Sequence, residues 1–232
     1  MRIGLFGGTF NPIHHCHLTI AAQARERLSL DQILFIPSGD PPHKPQDNLA
    51  PARHRLEMVR LAVAANPALA VSDIEVRRPE KSYSIDTVRE LRSQYGPATD
   101  LVFIIGLDAF LEFPSWRLAP DLLQLCHFAV VSRTGKAFLS LADRPPLPVI
   151  PRQTLESLDS RTQDRLEVAI PGSGGTRLTL LRLPPCDISA SDIRRRIRSR
   201  MGVGALLPAP VESYIMHVRL YQEEPDLPGV QG

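Results

Sequence analysis

Short apolar runs alternate with amphipathic stretches along most of the chain. Residues 3–6 form an apolar run stopped by Gly7-Gly8, the pattern of a buried strand feeding a turn. Over 17–30, Leu18, Ala21, Ala22, Ala24 and Leu28 fall at helical spacing. Residues 33–36 make a second buried strand, closed by Pro37-Ser38-Gly39. The segment 40–51 carries four prolines and reads as an extended loop. A helix follows, with Leu56, Val59, Leu61 and Val63 among its apolar positions. A weaker strand over 70–74 precedes a helix over 84–95, with Ser84 as the expected N-cap and Asp86 in its first turn.

Residues 101–105 are the clearest buried strand and run into Gly106, and 127–132 and 178–183 give two more. Helices over 191–201 and 210–222 close the chain, leaving 223–232 as a frayed tail. Prolines at 145, 146, 148 and 151 interrupt 134–177, which gives no clear reading. Strands alternating with helices predict an α/β fold: a Rossmann-like open parallel sheet with helices on both faces and a small C-terminal helical part. At 232 residues and 43% hydrophobic, the chain is expected to form a single domain over 1–222.

The formal net charge of +2 is too balanced for a dedicated nucleic-acid binder. No stretch approaches the roughly 20 apolar residues of a membrane span, and the opening run is too short for a signal peptide's core. A cytoplasmic protein is expected. Cys16, Cys126 and Cys186 are odd in number and contain no CxxC pair, which argues against a disulfide framework and a typical structural zinc site and suits a reducing compartment.

Two segments carry the candidate chemistry. Gly7-Gly8-Thr9-Phe10-Asn11-Pro12-Ile13-His14-His15-Cys16-His17 joins the first strand to the first helix. In an open parallel sheet, ligands gather at the carboxyl ends of strands. Glycines permit close backbone approach, and a helix N-terminus suits phosphate. His14 and His17 are three residues apart, so their imidazoles share a face and can donate to phosphate oxygens. Gly-Gly after a strand is in isolation only a turn, and His14-His15-Cys16-His17 cannot converge on one metal from a regular helix. Phosphate binding is the better reading. The second segment, Ile188-Ser189-Ala190-Ser191-Asp192-Ile193-Arg194, opens a late helix that Ser189 or Ser191 can cap. Arg194 in the first turn opposes the helix dipole unless an anion is bound there. Considered alone, the run 194–198 is more simply a solvated basic face.

With both segments present, the chain resembles the HxGH-type nucleotidylyltransferases and, among them, the bacterial nicotinate-nucleotide adenylyltransferase family. That family opens with GGTFDPxHxGH and carries ISxTxIR late. Gly7-Gly8-Thr9-Phe10, Pro12, His14 and His17 match the first, and Ile188-Ser189, Ser191, Ile193 and Arg194 the second. Ile36-Pro37-Ser38 with Pro41-Pro42-His43-Lys44, Ser82-Tyr83-Ser84, and Ile104-Ile105-Gly106-Leu107-Asp108 followed by Trp116 resemble its middle motifs. Asn11 stands where the family has aspartate, and Cys16 where it has glycine.

The resemblance implies transfer of AMP from ATP to nicotinate mononucleotide, giving nicotinate adenine dinucleotide and pyrophosphate. His14, His17 and Arg194 would be catalytic. Gly7, Gly8, Thr9, Phe10, Gly106, Asp108, Ile188, Ser189 and Ser191 would bind ATP. Ser38, His43, Lys44, Tyr83, Ser84, Trp116 and Arg133 would bind the mononucleotide. Mg²⁺ is expected on the ATP phosphates, with no dedicated protein metal site. The expected partners are the two substrates, with no nucleic acid or membrane and with self-association left open. The alternatives are a same-fold transferase acting on nicotinamide mononucleotide or phosphopantetheine, and an inactive nucleotide-binding regulator.

Overall fold

In the computed structural model, which describes residues 1–40 and 49–222, the apolar runs become strands of one sheet. Chain order is β1 (Arg2–Gly8), α1 (His15–Arg27), β2 (Gln32–Pro37), α2 (Ala52–Val63), β3 (Leu69–Val71), α3 (Ser84–Tyr95), β4 (Asp100–Gly106), α4 (Leu107–Phe110), α5 (Ala119–Leu125), β5 (His127–Val131), α6 (Arg152–Asp159), β6 (Arg165–Ala169), β7 (Arg177–Leu181), α7 (Ala190–Arg198) and α8 (Ala209–His217). The seven strands lie in the order β3-β2-β1-β4-β5-β7-β6. All neighbours pair parallel except β6 with β7.

Strand alternation explains why both faces are covered. Ile3, Leu5, Leu34, Ile36, Leu101, Phe103 and Ile105 point to one face, where they pack with Val88 and Leu91 of α3, Phe110 of α4, Leu122 of α5 and Leu155 of α6. Phe6, Ile33, Phe35, Val102 and Ile104 point to the other, where α1, α2, α7 and α8 supply Ala21, Met58, Ile193 and Ile215. A strand buried on both faces needs an unbroken apolar run, which is what 101–105 shows. The expected Rossmann-like architecture is present, and the C-terminal helices lie on the α1 face.

The structure departs from expectation in two places. Ser84 is the first residue of α3 rather than its cap; extended Tyr83 takes that position. The unread region 134–177 holds α6 and β6, and β6 folds back antiparallel on β7. The expected tail 223–232 lies outside the described residues. Among the described residues, no helix is long and apolar enough to cross a membrane.

Strand order reverses between β1 and β4. From β1 the sheet runs outward through β2 and β3, and from β4 through β5. The crevice beyond the carboxyl ends of these two central strands is where loops diverge to opposite faces and leave room for a ligand.

Candidate functional site

The loop leaving β1 forms one wall of that crevice. Phe10 adopts a left-handed backbone (φ 47°), a costly conformation for a large side chain. Its ring then packs edge-on against His17, with centroids 5.1 Å apart. His14 is the extended N-cap of α1, and its ring stacks on that of His17 at 3.8 Å. The main-chain N–H of His14 donates to Nδ1 of His17 (3.2 Å). Neutral His17 therefore carries its proton on Nε2. His14 is 4% exposed, and its Nδ1 has no hydrogen-bond partner. Burial, aided by the positive Arg133 and by His15, pulls its pKa from the ordinary 6.5 down to about 4, so the ring is neutral at pH 7.

The late motif closes on this loop. Ser189 caps α7 by accepting from the N–H of Asp192 (3.1 Å). Arg194 donates to the main-chain carbonyl of Asn11 (2.7 Å) and reaches Ser191 Oγ (3.4 Å). Its Nε–H is buried without a partner. Residues 183 positions apart thus meet at one loop. A buried guanidinium N–H with no acceptor costs free energy that an anion would recover.

One correction concerns the cysteines. The sequence argued against a disulfide, yet Cys16 and Cys186 are bonded, with Cα atoms 5.7 Å apart and 170 residues between them. The bond ties the first turn of α1 to the β7–α7 connection. Cys126 is the free, buried cysteine.

At the end of β4, the side chains of Asp108 and Arg133 close over Gly106, where a Cβ would lie 2.5 Å from Asp108 Oδ1 and 3.0 Å from Arg133 Nε, so a larger residue there would displace them. Those side chains form an ion pair at 3.3 Å. Arg133 also exerts its charge on His14, so it lies near both Asp108 and the buried histidine.

On the opposite side of the crevice, the N–H of Ser82 donates to the Asp40 carbonyl (3.2 Å), strapping the loop after β2 to the start of α3. This brings Ser38 and Tyr83 into one region. Ser38 Oγ is buried without a partner. The Arg117 guanidinium lies 4.8 Å above the Tyr83 ring. Trp116, half-buried, packs against Phe113 (5.5 Å) and Phe103 (6.2 Å). Ser84 occupies the first turn of α3, where helix N–H groups lack intrahelical acceptors. His43 and Lys44 lie outside the described residues.

Sequence reasoning missed Arg55. This side chain of α2 is 1% exposed. It donates to the carbonyls of Ala50 (2.9 Å), Thr9 (2.9 Å), Ser38 (2.6 Å) and Gly39 (2.8 Å), joining the loops after β1 and β2. Glu75 is buried beside it and accepts from Thr87 Oγ1 (2.8 Å); burial raises its pKa. Gly39 must be glycine, since a Cβ would lie 2.2 Å from the Glu75 carbonyl oxygen. Nothing local in the sequence separates Arg55 from the other basic residues of α2.

Comparison with known proteins agrees with this geometry. A profile of the cytidylyltransferase-like family matches residues 5–196. The chain is 44% identical to a probable nicotinate-nucleotide adenylyltransferase of Geobacter metallireducens, over 97% of this chain and all of that one. It is also 44% identical to one of Pelobacter propionicus, with the same coverage. Among solved structures, Plasmodium falciparum nicotinic acid mononucleotide adenylyltransferase complexed with NaAD superimposes with a TM-score of 0.68. That match covers 95% of this chain and 97% of the other at 17% identity, so it speaks for the fold alone. The chain belongs to the cytidylyltransferase-like family and, within it, to the nicotinate-nucleotide adenylyltransferases.

Proposed function

We infer that the protein transfers the adenylyl group of ATP to nicotinate mononucleotide, yielding nicotinate adenine dinucleotide and pyrophosphate in the cytoplasm. The observation that carries this reading is the meeting of Arg194 with the His14–His17 loop, with a guanidinium N–H and an imidazole nitrogen buried there without partners. A polyphosphate supplies the acceptors that the arginine lacks.

The reaction needs no protein nucleophile. A phosphate oxygen of the mononucleotide attacks the α-phosphorus of ATP, and the bond from that phosphorus to the β-bridging oxygen breaks with pyrophosphate leaving. Catalysis then consists of aligning two anions and stabilising charge on the transferred group. His17, protonated on Nε2 when neutral, donates to the α-phosphate. His14 contacts the polyphosphate as a neutral ring, and Arg194 with the first N–H groups of α7 holds the β- and γ-phosphates. Asp108 accepts from the ribose hydroxyls, and Trp116 stacks on the pyridine ring. Among the described residues no group of three His, Cys, Asp or Glu side chains is placed to hold a metal. Mg²⁺ bound with ATP would be held chiefly by the nucleotide's phosphates and would supply charge neutralisation there.

Relatives named for nicotinate-nucleotide adenylyl transfer support the choice of acceptor. Preference for the acid over the amide would come from main-chain donors at the start of α3 near Ser84, where helix N–H groups lack intrahelical acceptors. Each donor left facing a neutral amide costs about 1–3 kcal/mol. The test is pyrophosphate release from ATP and Mg²⁺ with nicotinate mononucleotide, nicotinamide mononucleotide or phosphopantetheine. The highest kcat/KM is expected with the first. Preference for another acceptor, or ATP binding without turnover, would overturn the reading.

A further inference from the structure

We propose that Tyr221 is a positioning residue for the triphosphate end of the site: its hydroxyl fixes Asn11, whose main-chain carbonyl in turn fixes the Arg194 guanidinium. The inference rests on the proposed role of Arg194 in binding ATP. Tyr221 follows α8, beyond both sequence motifs and 210 residues from Asn11. Its phenol O–H donates to Asn11 Oδ1 (2.7 Å), and the same oxygen accepts the main-chain N–H of Ala50 (3.1 Å). Asn11 is 8% exposed. Two donors on one amide oxygen set the orientation of this side chain and the plane of its loop.

The chain adopts an unfavourable conformation to reach this contact. Arg219 (φ 56°) and Tyr221 (φ 62°) are both left-handed without being glycine. Such conformations persist where surrounding structure over-determines them, and they concentrate at functional sites. Here the turn brings the phenol between two guanidiniums, Arg55 and Arg194, each of which acts electrostatically on it. Burial outweighs both and pushes the phenol's pKa up, so the group remains an O–H donor through the range in which the enzyme can be assayed. Arg55 anchors the same region from the other side through Ala50 and Thr9.

Asn11 carries a neutral amide, and Arg194 is held through its main-chain oxygen. No side-chain charge at position 11 draws the arginine back if the loop shifts, so its place depends on the loop itself being held. The phenol is one of the donors on Asn11 Oδ1 that hold it.

The experiment is Tyr221→Phe in the full chain, alone and in an Arg194→Ala background. It is read by steady-state kinetics, by calorimetric Kd for a non-hydrolysable ATP analogue with Mg²⁺, and by thermal unfolding. The expected result is a kcat about tenfold lower and an analogue Kd about fivefold higher. KM for the mononucleotide should stay within about twofold. In the Arg194→Ala background the effect of Tyr221→Phe on analogue Kd should shrink below about twofold, because the arginine it positions is gone. An analogue Kd unchanged by Tyr221→Phe, or raised equally in both backgrounds, would overturn the proposal. If Tyr221→Phe does not fold, Asn11→Ala decides: it must raise analogue Kd as expected for Tyr221→Phe, and an unchanged Kd refutes the proposal. Wild-type protein that binds the analogue but adenylylates no mononucleotide would end the proposed function, while the analogue Kd still tests Tyr221.

Discussion

The two ends of the crevice, proposed for the triphosphate and for the acceptor, are held in different ways. At the first, the loop after β1 is tied through its main chain and the start of α1 is tied covalently. Arg194 binds the Asn11 carbonyl, Arg55 binds the Thr9 carbonyl, and Cys16 is bonded to Cys186. At the second, Trp116 and Tyr83 are held mainly by rings and a guanidinium face, through Phe103, Phe113 and Arg117. Hydrogen bonds and covalent ties fix position to a fraction of an ångström, whereas aromatic packing tolerates sliding. That difference suits the chemistry. Charge stabilisation on a transferring phosphoryl group is steep in distance, while stacking on a pyridine ring is not.

If the triphosphate end carries the chemistry, the largest effect should come from His17→Ala. Loss of a transition-state donor is expected to lower kcat by about 10²-fold or more, with mononucleotide KM little changed. Steady-state kinetics decide this, and near-wild-type turnover would remove His17 from the mechanism. Next, Cys186→Ser is expected to lower unfolding free energy by about 2–5 kcal/mol. It should also raise KM for ATP while leaving that for the mononucleotide alone. Equal changes in both KM values would mean that the disulfide braces the whole crevice rather than one end.

The buried histidine gives a pH-dependent test of similar size. His14 titrates near 4 folded and near 6.5 unfolded, so between these values the unfolded chain binds a proton that the native one does not. Its contribution to stability is complete above about pH 6.5 and is lost as pH falls toward 4, amounting to roughly 3 kcal/mol. Urea denaturation of wild type and His14→Gln at pH 7.5 and 4.5 measures it. The wild type should lose more stability than the variant on acidification, and parallel losses would contradict the assignment. The smallest effect belongs to the acceptor end. Trp116→Ala should raise mononucleotide KM about tenfold, as for loss of about 1–2 kcal/mol of stacking, with kcat nearly retained. A large fall in kcat would show that the tryptophan aligns the attacking phosphate as well.

Much of this molecule could be read from local pattern. The strand at 101–105 lies within β4, and the helix expected over 84–95 matches α3 because its apolar residues repeat at helical spacing beside a Gly96 stop. By contrast, α6 has only eight residues and β6 five, and prolines at 145, 146, 148 and 151 crowd the approach to α6, so neither amphipathic pattern runs long enough to stand out. The same division runs through the site. His14, His17, Ser189 and Arg194 stand in compact motifs whose spacing is set by one helical turn. Arg55, Tyr221 and the Cys16–Cys186 bond are defined by what lies across the crevice. Their partners are carbonyls, an amide oxygen and a sulfur far away in sequence, and no nearby residue marks them.

The most direct test is a crystal structure with a non-hydrolysable ATP analogue and Mg²⁺. The triphosphate should lie between His14, His17 and the start of α7, with Arg194 Nε–H donating to a phosphate oxygen. An analogue seated instead in the cavity lined by Leu49, Arg198, Arg219 and Tyr221, with Arg194 and both histidines out of contact, would contradict the account.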